Sequence, residues 1–240
     1  MSNPRRVWLA RAFILHQYAY RDTSRIVEAF TAEHGRLTLF ARGAAGPKSN
    51  LRALLRPFQR LLLSWCGTTD ACRLIGAEID GAAHGLPAER LMSGFYLNEL
   101  LLKLTLRLDP HPRLFEFYAQ ALQDLSEDAD QESCLRRFEK RLLDDLGYGL
   151  ELTMTDQGLP IEPTGYYRFQ PQSGPVGCVA DAPGAVYGQS LADLGAASFT
   201  GARSLRDAKR VLRAALDACL DGRPLKSREI MVELHRRERA

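Results

Sequence analysis

Thr31-Ala-Glu-His-Gly35-Arg-Leu-Thr-Leu-Phe40-Ala-Arg-Gly-Ala-Ala45-Gly-Pro-Lys-Ser49 is the stretch on which the fold turns. His34-Gly35 is a hairpin-type break. Behind it, Arg36–Arg42 alternates, with Leu37, Leu39 and Ala41 on one side and Thr38 and Phe40 on the other, the period of a strand with one buried face. Working outward, Ser24–Thr31 carries Ile26, Val27 and Phe30, and Val7–Gln17 is mostly apolar. Phe58–Cys66 and Ala71–Ile79 read as two further strands. Five short strands in about 80 residues suggest a small barrel or sandwich. The connection Gly43–Arg56 is rich in glycine and cations and too long for a tight turn; its Ser49–Leu55 part has room for a helical turn.

The same region carries the charge. The chain has 240 residues and a net charge of only +3, but residues 1–80 hold 12 Lys+Arg against 6 Asp+Glu, and residues 81–240 hold 20 against 23. From Arg36 to Arg60 there are six cations, Arg36, Arg42, Lys48, Arg52, Arg56 and Arg60, and no acid. Such a run is commonly a solvated face; its sharper reading is a polyanion, most often nucleic acid. On a small barrel, such cations hold the backbone while exposed aromatics stack bases. The aromatic candidates here are Phe40, Trp8, Phe58 and Trp65, each of which also suits a core.

After residue 81 the period becomes helical. Pro87–Leu108 reads as a long, mostly buried helix opened by proline, and Asp109-Pro110-His111-Pro112 stops it. Arg113–Leu125 and Glu132–Leu146 follow, the latter with Leu135, Phe138, Leu142 and Leu146 as its apolar stripe and Gly147 behind it as a C-terminal cap. Prolines and glycines exclude long helices from 150–187, where Tyr166–Gln170 and Val176–Ala180 suit short strands. Helical pattern returns at Ser204, read as an N-cap with Asp207 three residues on, and runs to Leu220 before Gly222. Residues 227–239 make a last helix.

Several functions are excluded. With 45% hydrophobic and 25% charged residues the chain folds rather than staying disordered. No run of about 18 apolar residues exists to cross a membrane, and Arg11 breaks any signal-peptide core behind the N-terminus, so a cytoplasmic protein is expected. Five scattered cysteines offer no zinc or redox spacing and read as reduced thiols. Gly43–Ser49 resembles a phosphate-binding loop but lacks adjacent Gly-Lys, and Pro47 removes a needed N–H donor. The five histidines lack metal-ligand spacing, and Asp144-Asp145 lies beside Arg141 as a solvated face. No catalytic residues are expected. In Leu135-Arg136-Arg137-Phe138-Glu139, cations beside an apolar stripe suit an acidic peptide ending in a hydrophobic residue and a carboxylate, or simply a core helix with charged flanks.

These stretches, in this order, resemble the bacterial RecO family of recombination mediators. Besides Thr31–Ser49, the matching residues are Leu54-Leu-Arg-Pro57-Phe58, Gly94-Phe-Tyr-Leu-Asn98-Glu99-Leu100, Leu135-Arg-Arg-Phe-Glu139, Leu146-Gly-Tyr-Gly149 and Pro224-Leu-Lys226-Ser-Arg228-Glu229. The resemblance implies an α+β multidomain chain: a five-stranded OB-fold barrel over 1–80, a helical domain over 81–150 and 188–240, and an irregular insertion over 151–187. It implies no enzyme activity and no cofactor. It implies binding of single- and double-stranded DNA and annealing of complementary strands. It also implies recognition of the tail of the single-stranded DNA-binding protein and, with RecR, loading of RecA in gap and break repair at the nucleoid. The charge run makes Arg36, Arg42, Lys48, Arg52, Arg56 and Arg60 candidate DNA backbone contacts, of which the resemblance places Arg42 and Lys48 inside its matching motif; Lys226 and Arg228 near the C-terminus are expected contacts as well, and the tail contacts that the resemblance implies are Arg136 and Arg137. The alternative is a repair adaptor that binds other proteins without annealing strands itself, and a hydrolase is the remaining class.

The chain departs from the family at one point. Many members carry four zinc-binding cysteines after Leu-Gly-Tyr-Gly, whereas residues 150–190 here hold Cys178 alone. A zinc-free insertion is expected, packed instead through Tyr166, Tyr167, Phe169 and Val176.

Overall fold

The computed structural model describes residues 6–46, 49–67, 71–81, 85–127 and 129–238. Five strands, β1 (Arg6–Tyr20), β2 (Ser24–Thr31), β3 (Gly35–Ala41), β4 (Arg60–Cys66) and β5 (Ala71–Ile79), close a barrel in the order β1-β2-β3-β5-β4, with a short helix α1 (Asn50–Leu54) between β3 and β4. Only the β3–β5 pair is parallel. This is the five-stranded, OB-like barrel that the family resemblance implies; the alternation alone left barrel and sandwich open. The inward set is small and branched, with Ala12, Ile14, Val27, Ala29, Leu39 and Leu63 among its buried members, as a narrow barrel filled by its own side chains requires. Thr38 and Phe40 point outward between core neighbours.

β1 is longer than the sequence suggests, reaching Tyr20 instead of Gln17. Its pairing with β2 shifts between Ile14 and His16, so Leu15 is the extra residue of a bulge. Beyond the bulge His16, Tyr18 and Tyr20 are all exposed. A second irregularity lies between Val7 and Ala10, where Leu9 adopts φ 51°.

Three helices belong to the same compact unit, residues 1–128 with 225–240: α2 (Leu91–Leu104), α3 (Pro112–Ser126) and α7 (Lys226–Glu238). Phe115 and Tyr118 of α3 pack on Phe13 and Phe30, with ring centroids 5.0–5.8 Å apart in the closest pairs, and so cover these outward residues of β1 and β2. The helix expected over 87–108 is shorter. It begins at Leu91 after a single 3-10 turn at Ala88–Arg90 and ends at Leu104. Thr105 turns extended and returns both its hydroxyl (2.7 Å) and its N–H (3.1 Å) to the Leu101 carbonyl. The residues thereby released run along β3: Arg107 forms a parallel bridge with Arg36, and the Leu108 N–H donates to the Arg36 carbonyl at 2.9 Å. Gly35 admits this approach. It sits at φ +67°, and a Cβ there would lie 2.4 Å from the Asp109 carbonyl oxygen, so both its backbone and its missing side chain are required.

The second unit, residues 129–224, holds α4 (Gln131–Asp145), a small sheet β7-β6-β8 made of β6 (Tyr166–Gln170), β7 (Gly174–Gly177) and β8 (Val186–Tyr187), then α5 (Gly188–Gly195) and α6 (Ala202–Leu220). Asp130 caps α4 by accepting from the Ser133 N–H at 2.9 Å. The strand expected at 176–180 forms instead at 174–177, and α6 starts behind Gly201, so Ser204 lies inside its first turn rather than capping it. Asp207, expected to complete a capping box, is buried and accepts from the Tyr187 N–H (3.1 Å) and the Ser190 hydroxyl (2.9 Å).

The residues of the insertion do not fit a zinc ion. Cys178 is the one cysteine in the segment, and among the described residues no group of three or more His, Cys, Asp or Glu is placed to hold a metal. Local hydrogen bonds order the segment. Glu151 accepts from the N–H groups of Thr153 and Met154 and from the Thr153 hydroxyl. Buried Tyr167 accepts from the Glu162 N–H at 2.9 Å. Arg203 lies over the Tyr187 ring at 4.3 Å, and that ring packs on Tyr166. Among the described residues, no helix is long and apolar enough to cross a membrane.

Candidate nucleic-acid interface

Beyond the bulge, the outward side of β1–β3 is built by alternation. Strand pairing sets Tyr18 opposite Ile26, Ile26 opposite Phe40, and Phe40 opposite Arg73. One outward row therefore reads Tyr18–Ile26–Phe40–Arg73, with Tyr18 half exposed and Arg73 exposed. The next row toward the hairpin tip begins with Tyr20, whose ring meets Phe40 edge-on at 5.9 Å. His16 meets Tyr18 the same way at 4.4 Å. The result is an aromatic strip of Tyr18, Tyr20 and Phe40.

Arginines surround the strip. At the tip, Arg21 lies 5.2 Å from the Tyr20 ring centre, and Arg42 is exposed at the end of β3. The following loop is tied to the same tip, because the Ala45 N–H donates to the Thr23 carbonyl at 2.9 Å. At the other end, the buried Glu28 carboxylate gathers two guanidinium groups. Its Oε1 accepts from Arg107 Nη2 at 2.8 Å and from the Thr38 hydroxyl at 2.9 Å, and its Oε2 accepts from Arg36 Nη1 at 3.2 Å. Arg107 also donates to the Thr38 hydroxyl, and Arg36 Nη2 donates to the Thr105 carbonyl at 3.0 Å. Burial first, and then the neighbouring Arg107 cation, push the pKa of Arg36 below the usual guanidinium value. Glu28 is the acid that strand pairing brings into this cluster, opposite His16 and Thr38.

The cations singled out in the sequence divide. Arg42, Arg52 and Arg56 are exposed along the β3–β4 connection. Arg36 is largely enclosed by Glu28, and Arg60 is paired with Asp80 at 2.5 Å. Lys48 lies outside the described residues. Lys226 is exposed at the start of α7, where its N–H and that of Ser227 donate to Glu99. Arg228 reaches the Tyr96 hydroxyl and ring. In the second unit, Arg137 is exposed, but Arg136 is buried in an ion pair with Glu139 at 2.7 Å. Of the aromatic candidates, Phe40 belongs to the strip. Trp65 is core, Phe58 is buried against Phe95, and Trp8 is 60% exposed within the second irregularity of β1. Tyr18, Tyr20, Arg73 and Arg107 were not among the sequence candidates; the Tyr-Ala-Tyr alternation at 18–20 is the signal that carried the first two.

A closed five-stranded barrel with an arginine-rimmed aromatic outer face, followed in sequence by helices, places the chain in the OB-fold class, whose members bind oligonucleotides or oligosaccharides. The comparisons with known proteins agree. Residues 4–79 match the family model "Recombination protein O N terminal" and residues 88–229 match "Recombination protein O C terminal". The chain is 42% identical over 237 residues to the DNA repair protein RecO of Aromatoleum aromaticum, covering 98% of this chain and 99% of that one. It is also 42% identical over 243 residues to the RecO of Thiobacillus denitrificans, with 98% and 95% covered. The chain belongs to the RecO family of DNA repair proteins.

Proposed function

We propose that this chain binds single- and double-stranded DNA, anneals complementary strands, and acts as a non-catalytic recombination mediator at the nucleoid. In this reading it recognises the tail of the single-stranded DNA-binding protein and, with RecR, promotes RecA loading. The observation that carries the proposal is the outer face of β1–β3, where aromatics for stacking bases lie between arginines for holding phosphates. Base stacking on such rings contributes roughly 1–3 kcal/mol per base, and cations that displace counterions make binding fall steeply with salt.

Arg42, Lys48, Arg52 and Arg56 are the proposed backbone contacts of the connection after β3, Arg36 and Arg60 of the barrel, and Lys226 and Arg228 of α7. For the tail peptide, Arg137 is the proposed contact with its carboxylate, and Arg136 orders the helix beneath it. The test is annealing of complementary strands by the purified protein, bare and coated with single-stranded DNA-binding protein. Acceleration on bare strands supports the mediator. Binding to the coat protein without any annealing favours the adaptor.

A further inference from the structure

Strand pairing carries the outward row past Arg73. Arg73 stands opposite Cys66 of β4, and Cys66 stands opposite Arg6 of β1. The row that begins at Tyr18 therefore winds round the barrel through Ile26, Phe40, Arg73 and Cys66 and returns to the start of β1. Its five strand-to-strand steps make a path about 24 Å long at the spacing of paired strands. Beside its far end stands Trp8. Val7 packs against the core and Ala10 belongs to it. The extra residue between them leaves both Trp8 and Leu9 outside, 60% and 49% exposed. Leu9 takes φ 51°, and its N–H donates to the Ser64 hydroxyl at 3.1 Å. Such an irregularity re-aims a side chain, here the indole.

Arg6 and Arg73 are both exposed, and neither guanidinium has a hydrogen-bond or ion-pair partner among the described residues. No acid stands on this row, nor at Trp8, Leu9 or Ser64 next to it. An indole face stacks on any base, and guanidinium groups with donors to spare hold the flanking phosphates. An apolar protein contact would have no use for two unneutralised cations. We propose that Trp8 is a second base-stacking platform, with Arg6 and Arg73 as its phosphate contacts, so that a single strand crosses the barrel from Tyr18 through Phe40 to Trp8. This extends, and rests on, the reading of the β1–β3 face as the nucleic-acid surface.

The chain has two tryptophans, and Trp65 is 3% exposed, so a ligand that quenches the indole emission reports Trp8. Oligothymidylate is titrated into wild type, W8F, W8A, R6Q and Y18A/Y20A, each first checked for a cooperative melt, and anisotropy of a labelled strand gives the affinities across a salt series. The strand is expected to quench wild type and to leave the emission of W8F unchanged. W8A is expected to bind about tenfold more weakly, and W8F, which keeps a ring, close to wild type. R6Q is expected to lower the log–log salt slope by about 0.7, and an unchanged slope overturns the Arg6 contact. Quenching that persists in W8F, or wild-type affinity in W8A, overturns the platform and leaves Trp8 to a protein partner; should W8A not fold, the emission of W8F decides. If Y18A/Y20A weakens binding in that case, the β1–β3 face stands and only the role of Trp8 falls. If W8A weakens binding and Y18A/Y20A does not, the platform stands and the reading of the β1–β3 face fails.

Discussion

Asn98 donates its side-chain amide to the Leu15 carbonyl at 2.9 Å. Leu15 is the extra residue of the β1 bulge, and Asn98 supplies a donor to its carbonyl. The Asn98 carbonyl oxygen in turn accepts from the Tyr118 hydroxyl, which burial keeps protonated. One amide thus joins β1, α2 and α3 at the point beyond which Tyr18 and Tyr20 face outward. Replacing it with leucine removes a buried donor and should destabilise the protein by about 1–3 kcal/mol. A chemical denaturation curve reads this directly.

Gly35→Ala forces a Cβ into the Asp109 backbone and a strained φ. The strain alone is of order 1–3 kcal/mol, and the α2–α3 segment must also shift away from β3. The expected result is a lower melting temperature.

The two neighbouring arginines of α4 should behave differently. Arg136→Ala removes the guanidinium of a buried pair with Glu139 and should cost about 3–5 kcal/mol in stability. Arg137→Ala, on the exposed side, should change stability by no more than about 0.5 kcal/mol. A melt of both variants beside titration with an acidic tail peptide separates folding from recognition. Loss of peptide binding by R137A at unchanged stability is the expected outcome.

Glu99 couples α7 to pH. Burial alone would raise its pKa, but the Ser227 hydroxyl and N–H, the Lys226 N–H and Lys103 outweigh it, and the net shift is downward. A carboxylate depressed in the folded state stabilises that state above its unfolded pKa and loses the effect as pH falls through the folded one. Glu99→Gln should therefore lower the melting temperature at neutral pH, and the difference from wild type should close in acid.

The barrel was legible because its alternation is local: Leu37, Leu39 and Ala41 point inward as their spacing requires. The interface was legible only in part. Ending β1 at Gln17 hid Tyr18 and Tyr20, since the bulge at Leu15 interrupts the period by which a strand is recognised. Arg107 was hidden by a helical pattern that continues to Leu108, whereas Thr105 ends the helix through bonds to Leu101 that no periodicity registers. Arg36 and Arg60 were readable as cations, but their partners Glu28 and Asp80 are brought to them by strand pairing and tertiary approach.

The central claim is that the open β1–β3 face binds single strands by stacking between arginines. It is tested most directly by measuring oligothymidylate affinity for wild type and Y18A/Y20A from low to high salt. The expected result is a steep fall of affinity with salt in both proteins and a loss of roughly 1–3 kcal/mol for each stacked base in the variant. Equal affinities for the two proteins at every salt concentration, or binding that ignores salt, would contradict it.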